Sequence, residues 1–222
     1  MTEVGVAAEP VIGESRWPMA IAVILLIVAT VSAPQPGMAP VVLTVAGIEA
    51  VLLAALIIGD PGRIDRRSSR LRWIGTILVA FLVGTALLAT GVLIVELVAG
   101  SPATNDPRTL LIAGGKVWLT NNIAFALLYW QFDGRGPAER AHGLPRYPDL
   151  AFPQLSAPDL APPHWRPRLT DYLYIAFTTA NAFSPTDTLP MTTWAKLAMA
   201  TQALVSFVLL GLVLARAVNA FS

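Results

Sequence analysis

A polar stretch near the C-terminus holds the residue types best suited to binding a hard cation or relaying a proton. It follows a short apolar segment and is broken by Pro185 and Pro190. Hydroxyl, amide and carboxylate oxygens suit hard cations, and irregular backbone inside a membrane occurs where it lines a cavity or is buried in protein. The alternative is a structural break closed by hydrogen bonds. The candidate ion-pathway residues are Thr178, Thr179, Asn181, Ser184, Thr186 and Asp187.

Three charged residues lie within apolar runs, where hydrocarbon penalises them. Glu49 and Lys116 lie about 12 Å and about 9 Å along their runs, and both runs are expected to go from outside to inside. Glu96 lies close to the end of its run. We predict that Lys116 forms a buried charge pair with Glu49 or Glu96, and an ion- or proton-coupling role is the alternative. Asn121 and Asn122 are expected to bond across to neighbouring helices.

The composition excludes several classes of protein. Charged residues make up 13% and apolar residues 55% of the 222 residues, whereas a soluble domain carries about 25% charge. The chain is therefore typical of a polytopic protein whose partner is the lipid bilayer. There is no cysteine and there are only two histidines, so we expect no cofactor and no metal centre. The formal net charge of +1 offers no basic surface for nucleic acid.

The apolar runs predict the fold. Five of them, at about 1.5 Å per helical residue, are long enough for roughly 30 Å of hydrocarbon. They cover residues 17–33, 41–58, 73–99, 110–132 and 194–218. The apolar segment 171–183 is shorter. We therefore predict an all-α polytopic membrane helix bundle with five long spans plus one short broken or re-entrant helix.

Arginine sets the predicted orientation and the division into regions. Arginines concentrate in 60–72 and in 133–170, which an even number of spans separates, whereas 100–108 holds one. The positive-inside rule places both arginine-rich loops and the N-terminus in the cytoplasm. The predicted regions are a cytoplasmic tail 1–16, a four-span region 17–132, a proline-rich cytoplasmic loop 133–170 and a C-terminal region 171–222. We expect the loop to be an extended surface segment, because seven prolines between 145 and 167 prevent a long helix.

Two further expectations concern the ends of the chain. The first apolar run is predicted to be a span rather than a cleaved signal peptide, because Glu3, Glu9 and Glu14 replace the usual basic segment. For 171–190 we favour a broken crossing over re-entry from the cytoplasmic side, because a crossing returns Arg216 to the cytoplasm.

The C-terminal quarter resembles a known membrane module. The order of short aromatic helix, threonine pair, polar loop and long apolar helix, with Asp187 followed by Pro190 and Thr192, is similar to the pore loop and inner helix of the two-helix potassium-channel domain. That resemblance implies an ion pathway. The glycine filter of the family is absent, because no glycine lies between Thr179 and Asp187, so potassium selectivity is not implied. The whole chain also resembles a group of bacterial multi-span membrane proteins with an AFSPTDT-type segment, a likeness that implies no activity.

These observations predict an integral membrane protein, in the plasma membrane of a bacterium, with a channel-like or transporter-like pathway for a monovalent cation or a proton. Small residues along the third run, such as Ala80 and Gly84, leave a homo-oligomer open. The alternative is a non-conducting scaffold that docks partners through its proline-rich loop. We expect no enzyme activity, because His142, His164 and the nearby aspartates lack metal-ligand spacing.

Overall fold

The structure is a computed structural model that describes residues 11, 13–32, 38–100, 106–182 and 187–221. Helices form most of this part of the chain, so the predicted all-α class is confirmed. The helices are α1 (Trp17–Val31), α2 (Ala39–Gly59), α3 (Ser69–Ala99), α4 (Pro107–Phe132), α5 (Pro137–His142), α6 (Pro153–Ser156), α7 (Leu169–Ala182) and α8 (Thr193–Phe221). Among the described residues, four helices are long and apolar enough to cross a membrane: α2, α3, α4 and α8. This number indicates an integral membrane protein.

Local signals in the sequence define where the long helices begin and end. Ser68 caps α3 by accepting a hydrogen bond from the backbone nitrogen of Leu71, and Gly100 ends that helix with a positive φ of 69°. Asp106 caps α4 by accepting from the Thr109 nitrogen at 2.8 Å. Hydrogen bonds from the side chain and backbone of Thr109 hold the pKa of the exposed Asp106 carboxyl below its usual value.

Helix α4 is the centre of the bundle, and it contacts α1, α3, α7 and α8. Small residues allow two of these contacts. A Cβ atom at Gly114 would lie 2.8 Å from Val213 of α8, and one at Gly75 of α3 would lie 2.9 Å from Gln131 of α4. Gly84, in contrast, faces open space. The central position of α4 explains why its second half, from Asn121 onward, is mostly buried.

We call the two ends of the bundle the Asp133 end and the Gly100 end. At the Asp133 end, two-residue strands β1 (Glu14–Ser15) and β2 (Arg63–Ile64) pair antiparallel, with Glu14 opposite Ile64. A buried ion pair joins Arg16 and Asp60 at 3.1 Å beside them. Burial lowers the pKa of Arg16, and the charge of Asp60 and a hydrogen bond to it oppose that shift. These contacts fix the start of α1 to the end of α2.

The proline-rich segment 133–170 is folded in short helices and turns onto the Asp133 end, which corrects the expectation that it is extended, although most of its residues from 143 to 166 do lie at the surface. It contains α5, α6, two 3₁₀ turns (Asp133–Arg135 and Pro158–Leu160) and strand β3 (Leu150–Ala151). Pro137, Pro153 and Pro158 each begin a short helix or turn, a position where the missing N–H costs nothing. Proline density therefore limits helix length here without preventing a packed structure.

Both flanks of α7 lie at the Asp133 end. In the first turn of the helix, Tyr172 donates its hydroxyl to Asp133 at 2.5 Å. After the helix, strand β4 (Leu189–Pro190) pairs antiparallel with β3, and Trp194 donates its indole N–H to Asp149 at 2.9 Å. Helix α8 thus begins at the Asp133 end and runs to the Gly100 end, where a Cβ atom at Gly100 would lie 3.8 Å from Arg216.

This path corrects the preference for a broken crossing. If 171–190 crossed the membrane, α8 would begin at the opposite end of the bundle from the end of α4. Instead, Trp194 at the start of α8 and Phe132 at the end of α4 have their rings 5.8 Å apart. The chain instead leaves and returns at one end of the bundle. Sequence alone could not show this, because the hydrogen bonds of Asp149 decide where the strand after α7 is held.

Candidate functional site

Helix α7 places the predicted ion-pathway residues on two opposite faces. One face is buried against α4 and α8 and carries Tyr172, Ile175 and Ala176. The other is exposed, with Tyr174 at 51% and Phe177 at 54% of their full surface, and Asn181 continues it. The spacing of three to four residues between these exposed positions is that of one helical face. The face of α7 that ends at Asn181 is therefore open to whatever surrounds the bundle, whereas Thr179 lies on the buried side.

The hydroxyl and amide groups at the end of α7 mostly bond to their own helix. Thr178 donates to the carbonyls of Tyr174 and Ile175, each at 3.0 Å, and Asn181 donates to Phe177 at 2.8 Å. Thr179 differs, because its side chain is only 3% exposed and its hydroxyl oxygen has no hydrogen-bond partner among the described residues. A buried hydroxyl without a hydrogen bond lowers the stability of the fold. At this end of α7, Thr179 is therefore a residue that could still bind a ligand oxygen or a cation.

The remaining pathway residues are placed only in part. Asp187 is exposed immediately before Thr188, which is buried. Ser184 and Thr186 lie outside the described residues. The structure therefore groups Thr178, Thr179 and Asn181 at the C-terminal end of α7, with Asp187 on the chain that returns from it.

The three charged residues within apolar runs are not brought together. The Lys116 ammonium donates to the Ser32 hydroxyl at 2.7 Å. The side chain of Glu49 is fully buried and accepts from the Thr85 hydroxyl at 3.4 Å, while its second oxygen has no partner in the described part of the chain. Glu96 is half-buried beside Gly91 and Val92. The ion pairs seen between described residues include Arg16–Asp60, Arg67–Glu139 and Arg140–Glu14, and none of those seen involves Lys116.

The two asparagines of α4 do bond across to neighbouring helices, as predicted. Asn121 donates its amide to the Thr90 hydroxyl of α3 at 2.5 Å. Asn122 accepts from the Gln202 amide of α8 at 3.5 Å. These bonds explain why both side chains are buried in an apolar run.

Gln202 is a residue that the sequence analysis missed. It is fully buried, and it accepts from the Tyr129 hydroxyl at 2.6 Å while donating to the Ala176 carbonyl at 2.8 Å. It thus joins α4, α7 and α8 directly behind the candidate pathway residues. Attention to every polar residue in an apolar run, rather than only to charged ones, would have found it.

A buried charged cluster at the Asp133 end was also missed. Arg140 is 2% exposed and donates to the carbonyls of Trp130 and Asp133 at 2.8 and 2.6 Å, with Glu14 at 3.4 Å. Asp133 accepts from Tyr172 and from the Leu150 nitrogen. No periodicity joins these residues, which come from four separate segments. The cluster fixes the first turn of α7 in place.

The fold and this arrangement define an all-α protein with four candidate membrane spans. A shorter helix, α7, starts at the Asp133 end, and the chain after it comes back to the same end. Comparisons of the chain with protein-family models, with curated proteins and with solved structures find no match. Within the described ranges, no three histidine, aspartate or glutamate side chains are grouped as a metal site would require.

Proposed function

We propose that the chain is an integral membrane protein that passes a monovalent cation or a proton along the polar end of α7. The observation that carries the proposal is the placement of α7: both flanks lie at the Asp133 end, while its later turns run beside the middle of α4, where the rings of Phe177 and Trp118 lie 5.8 Å apart. A 14-residue helix spans about 21 Å, which is less than a bilayer. In this proposal α7 re-enters the membrane and returns to the side from which it came.

The electrostatics of α7 favour a cation over an anion. The unpaired carbonyls at the C-terminal end of a helix carry a partial negative charge, and here that end lies inward. The unpartnered hydroxyl of Thr179 and the carboxylate of Asp187 add oxygen atoms of the kind that hard cations prefer. The absence of glycine between Thr179 and Asp187 argues against a potassium-type carbonyl filter.

The exposed face of α7 favours contact between copies of the chain. Asn181 lies on the same exposed face as Tyr174 and Phe177. An amide facing hydrocarbon is unfavourable, so water or a neighbouring subunit should cover it. We propose a homo-oligomer in which this exposed face packs against a neighbouring copy, while the ion path follows the opposite, buried side of the same helix end, where Thr179 lies.

The proposal includes a fifth crossing by α1. This helix has 15 residues and would span about 22 Å. It begins at the Asp133 end beside the Arg16–Asp60 pair and ends where Ser32 meets Lys116. Five crossings with a cytoplasmic Asp133 end place the N-terminus inside and the end of α8 outside.

The test is cation and proton flux through purified protein in liposomes under an imposed voltage. The expected result is flux above that of empty vesicles for at least one monovalent cation or for protons. Flux equal to that of empty vesicles for every ion tried would contradict the proposal. Strict potassium selectivity would contradict the argument from the missing glycines.

The alternative is a non-conducting membrane scaffold, and one observation favours it. Tyr147 and Leu160 in the proline-rich segment are 79% and 89% exposed, so two large side chains of this segment are available to a partner protein. Absence of flux together with loss of a protein complex on Tyr147→Ser and Leu160→Ser would support that alternative.

A further inference from the structure

The Asp133 end contains a cavity of about 290 Å³ that the ion path does not use. It lies where α1, α2, α3 and α4 meet α5. Its inner wall is apolar and reaches Leu78, which is nine residues into α3 and hence about 13 Å from the start of that helix. The apolar wall consists of Met19, Val23, Leu56, Leu78, Val79 and Leu127.

The rim of this cavity is strongly basic. It contains five arginines but only two acidic residues, Asp60 and Glu139. These two acids pair with Arg16 and Arg67, at 3.1 Å in each case. The other three arginines of the rim, Arg66, Arg72 and Arg135, form no ion pair with an acid in the described part of the chain.

Two of these three arginines have unused hydrogen-bonding capacity. Arg66 donates to the Gly59 carbonyl at 3.1 Å. The guanidinium groups of Arg72 and Arg135 make no hydrogen bond or ion pair with the described residues, although Arg72 offers its backbone carbonyl to Gln131. Arg135 also has a positive φ of 67°, an uncommon conformation for a residue other than glycine. Both guanidinium groups are therefore ready to bind an anion at the rim.

A basic rim above an apolar wall matches one class of ligand. Arginine binds phosphate oxygens through paired N–H groups, and an apolar wall reaching into the bundle suits a hydrocarbon chain. Basic pockets between helices at the membrane surface favour anionic headgroups. We propose that this cavity binds an anionic phospholipid, with its phosphate between Arg72 and Arg135 and the upper part of one acyl chain against Val79 and Leu127.

The bound lipid would have a structural effect. The cavity is enclosed by α1 and α2 on one side and by α3 and α4 on the other. A lipid that contacts both pairs of helices and binds only the folded protein stabilises the folded state by mass action. The proposal does not depend on ion conduction, so it can fail or succeed independently of the proposed function.

The experiment measures lipid binding to the purified full-length chain in a neutral detergent, by native mass spectrometry and by thermal unfolding. The probes are dioleoylphosphatidylglycerol, dioleoylphosphatidylcholine and soluble glycerol phosphate. The anionic phosphatidylglycerol is expected to bind at least tenfold more tightly than the zwitterionic phosphatidylcholine. Millimolar glycerol phosphate should not displace the bound phosphatidylglycerol. This arm separates a membrane lipid from a free phosphate ester.

The matched variants remove equal charge. Each arginine near an anionic headgroup contributes a factor of about five to binding, so the double variant Arg72→Gln with Arg135→Gln should weaken it roughly twenty-five-fold. The control double variant, Arg70→Gln with Arg146→Gln, changes two exposed arginines outside the cavity and should change binding less than about twofold. Val79→Phe narrows the apolar wall and should weaken lipid binding with every charge intact.

Three results would overturn the proposal. Equal losses in the two double variants would mean that general surface charge, not this cavity, attracts the lipid. Equal binding of both lipids would mean that headgroup charge is irrelevant. Displacement by glycerol phosphate would assign the rim to a soluble anion.

Discussion

Tyr129 of α4 and Gln202 of α8 form a hydrogen bond of 2.6 Å in which neither side chain is exposed to solvent. Tyr129→Phe leaves the Gln202 oxygen without this donor and should lower the free energy of unfolding by about 1–3 kcal/mol. Denaturation in detergent, followed by circular dichroism, measures the loss. Tyr174→Phe is the matched control, because Tyr174 is 51% exposed and should tolerate the change. Equal stability of the two variants would show that the buried bond contributes nothing.

The Arg16–Asp60 pair predicts a contrast between a buried and an exposed ion pair. Its side chains are 6% and 9% exposed, whereas those of Arg67 and Glu139 are 54% and 33% exposed. Asp60→Asn leaves a buried guanidinium unpaired and should cost about 3–5 kcal/mol of stability. Glu139→Gln should cost less than about 1 kcal/mol. The comparison requires lipid-free detergent, since both pairs line the same cavity. Similar costs would contradict the assignment of Arg16–Asp60 as the contact that holds α1 against α2.

Lys116 and Glu49 should behave as independent residues. Lys116 bonds to Ser32 and Glu49 bonds to Thr85, so they share no partner. The losses of Lys116→Met and Glu49→Gln should therefore add to within about 0.5 kcal/mol. Lys116→Met with Ser32→Ala should instead be non-additive, because the first change already removes the bond. A strongly non-additive loss of stability in the Lys116→Met and Glu49→Gln double variant would contradict this prediction and support an ion pair between the two residues.

Run length predicts four of the five expected long helices. The fifth run, 17–33, forms α1, which has 15 residues and is not among the candidate spans of the described residues. Residues 41–58, 73–99, 110–132 and 194–218 are apolar over roughly the thickness of the hydrocarbon core, and each lies within one helix. The partner of Lys116 could not be predicted in this way. Two residues at similar depth on two helices can still point in different directions, because depth does not fix the rotation of each helix about its own axis. Glu49 of α2 points toward Thr85 of α3.

The candidate site was predictable in composition but not in placement. The residues from Thr178 to Asp187 attract attention because polar oxygens follow a short apolar segment. Their position depends on contacts between distant segments, such as Tyr172 with Asp133 and Trp194 with Asp149. Such contacts between single polar residues leave no repeating pattern in the sequence.

The placement of α7 and α8 predicts that the ends of the chain lie on opposite sides of the membrane. The chain has no native cysteine, so single cysteines report location directly. Arg70→Cys and Ser156→Cys should be shielded from an impermeant thiol reagent in intact cells, and Arg108→Cys should react. A tag added after Ser222 should be accessible from outside, since Arg216 lies close to Gly100. A shielded tag combined with a labelled Arg108→Cys would contradict the re-entrant path.

The ion path predicts that two substitutions change flux without unfolding the protein. Asp187→Asn removes a negative charge from the chain that returns from α7, and it should lower cation flux about three- to tenfold if the carboxylate attracts the ion. Thr179→Val removes only a hydroxyl that no described residue bonds, and it keeps the side-chain shape, so its effect on flux should be smaller. Liposome flux at several voltages and cation concentrations measures both.

The controls separate conduction from folding. Asp159→Asn makes the same charge change at an exposed position in the proline-rich segment, and Thr44→Val makes the same hydroxyl change on an exposed face of α2. Neither should change flux, because neither residue lies near the end of α7. Removing the Thr179 hydroxyl, which has no partner among the described residues, should leave stability unchanged or slightly higher, since a buried group without a hydrogen bond is lost. If Thr179→Val instead lowers stability and leaves flux per folded molecule unchanged, the polar end of α7 is a structural break, and the ion path lies elsewhere or does not exist.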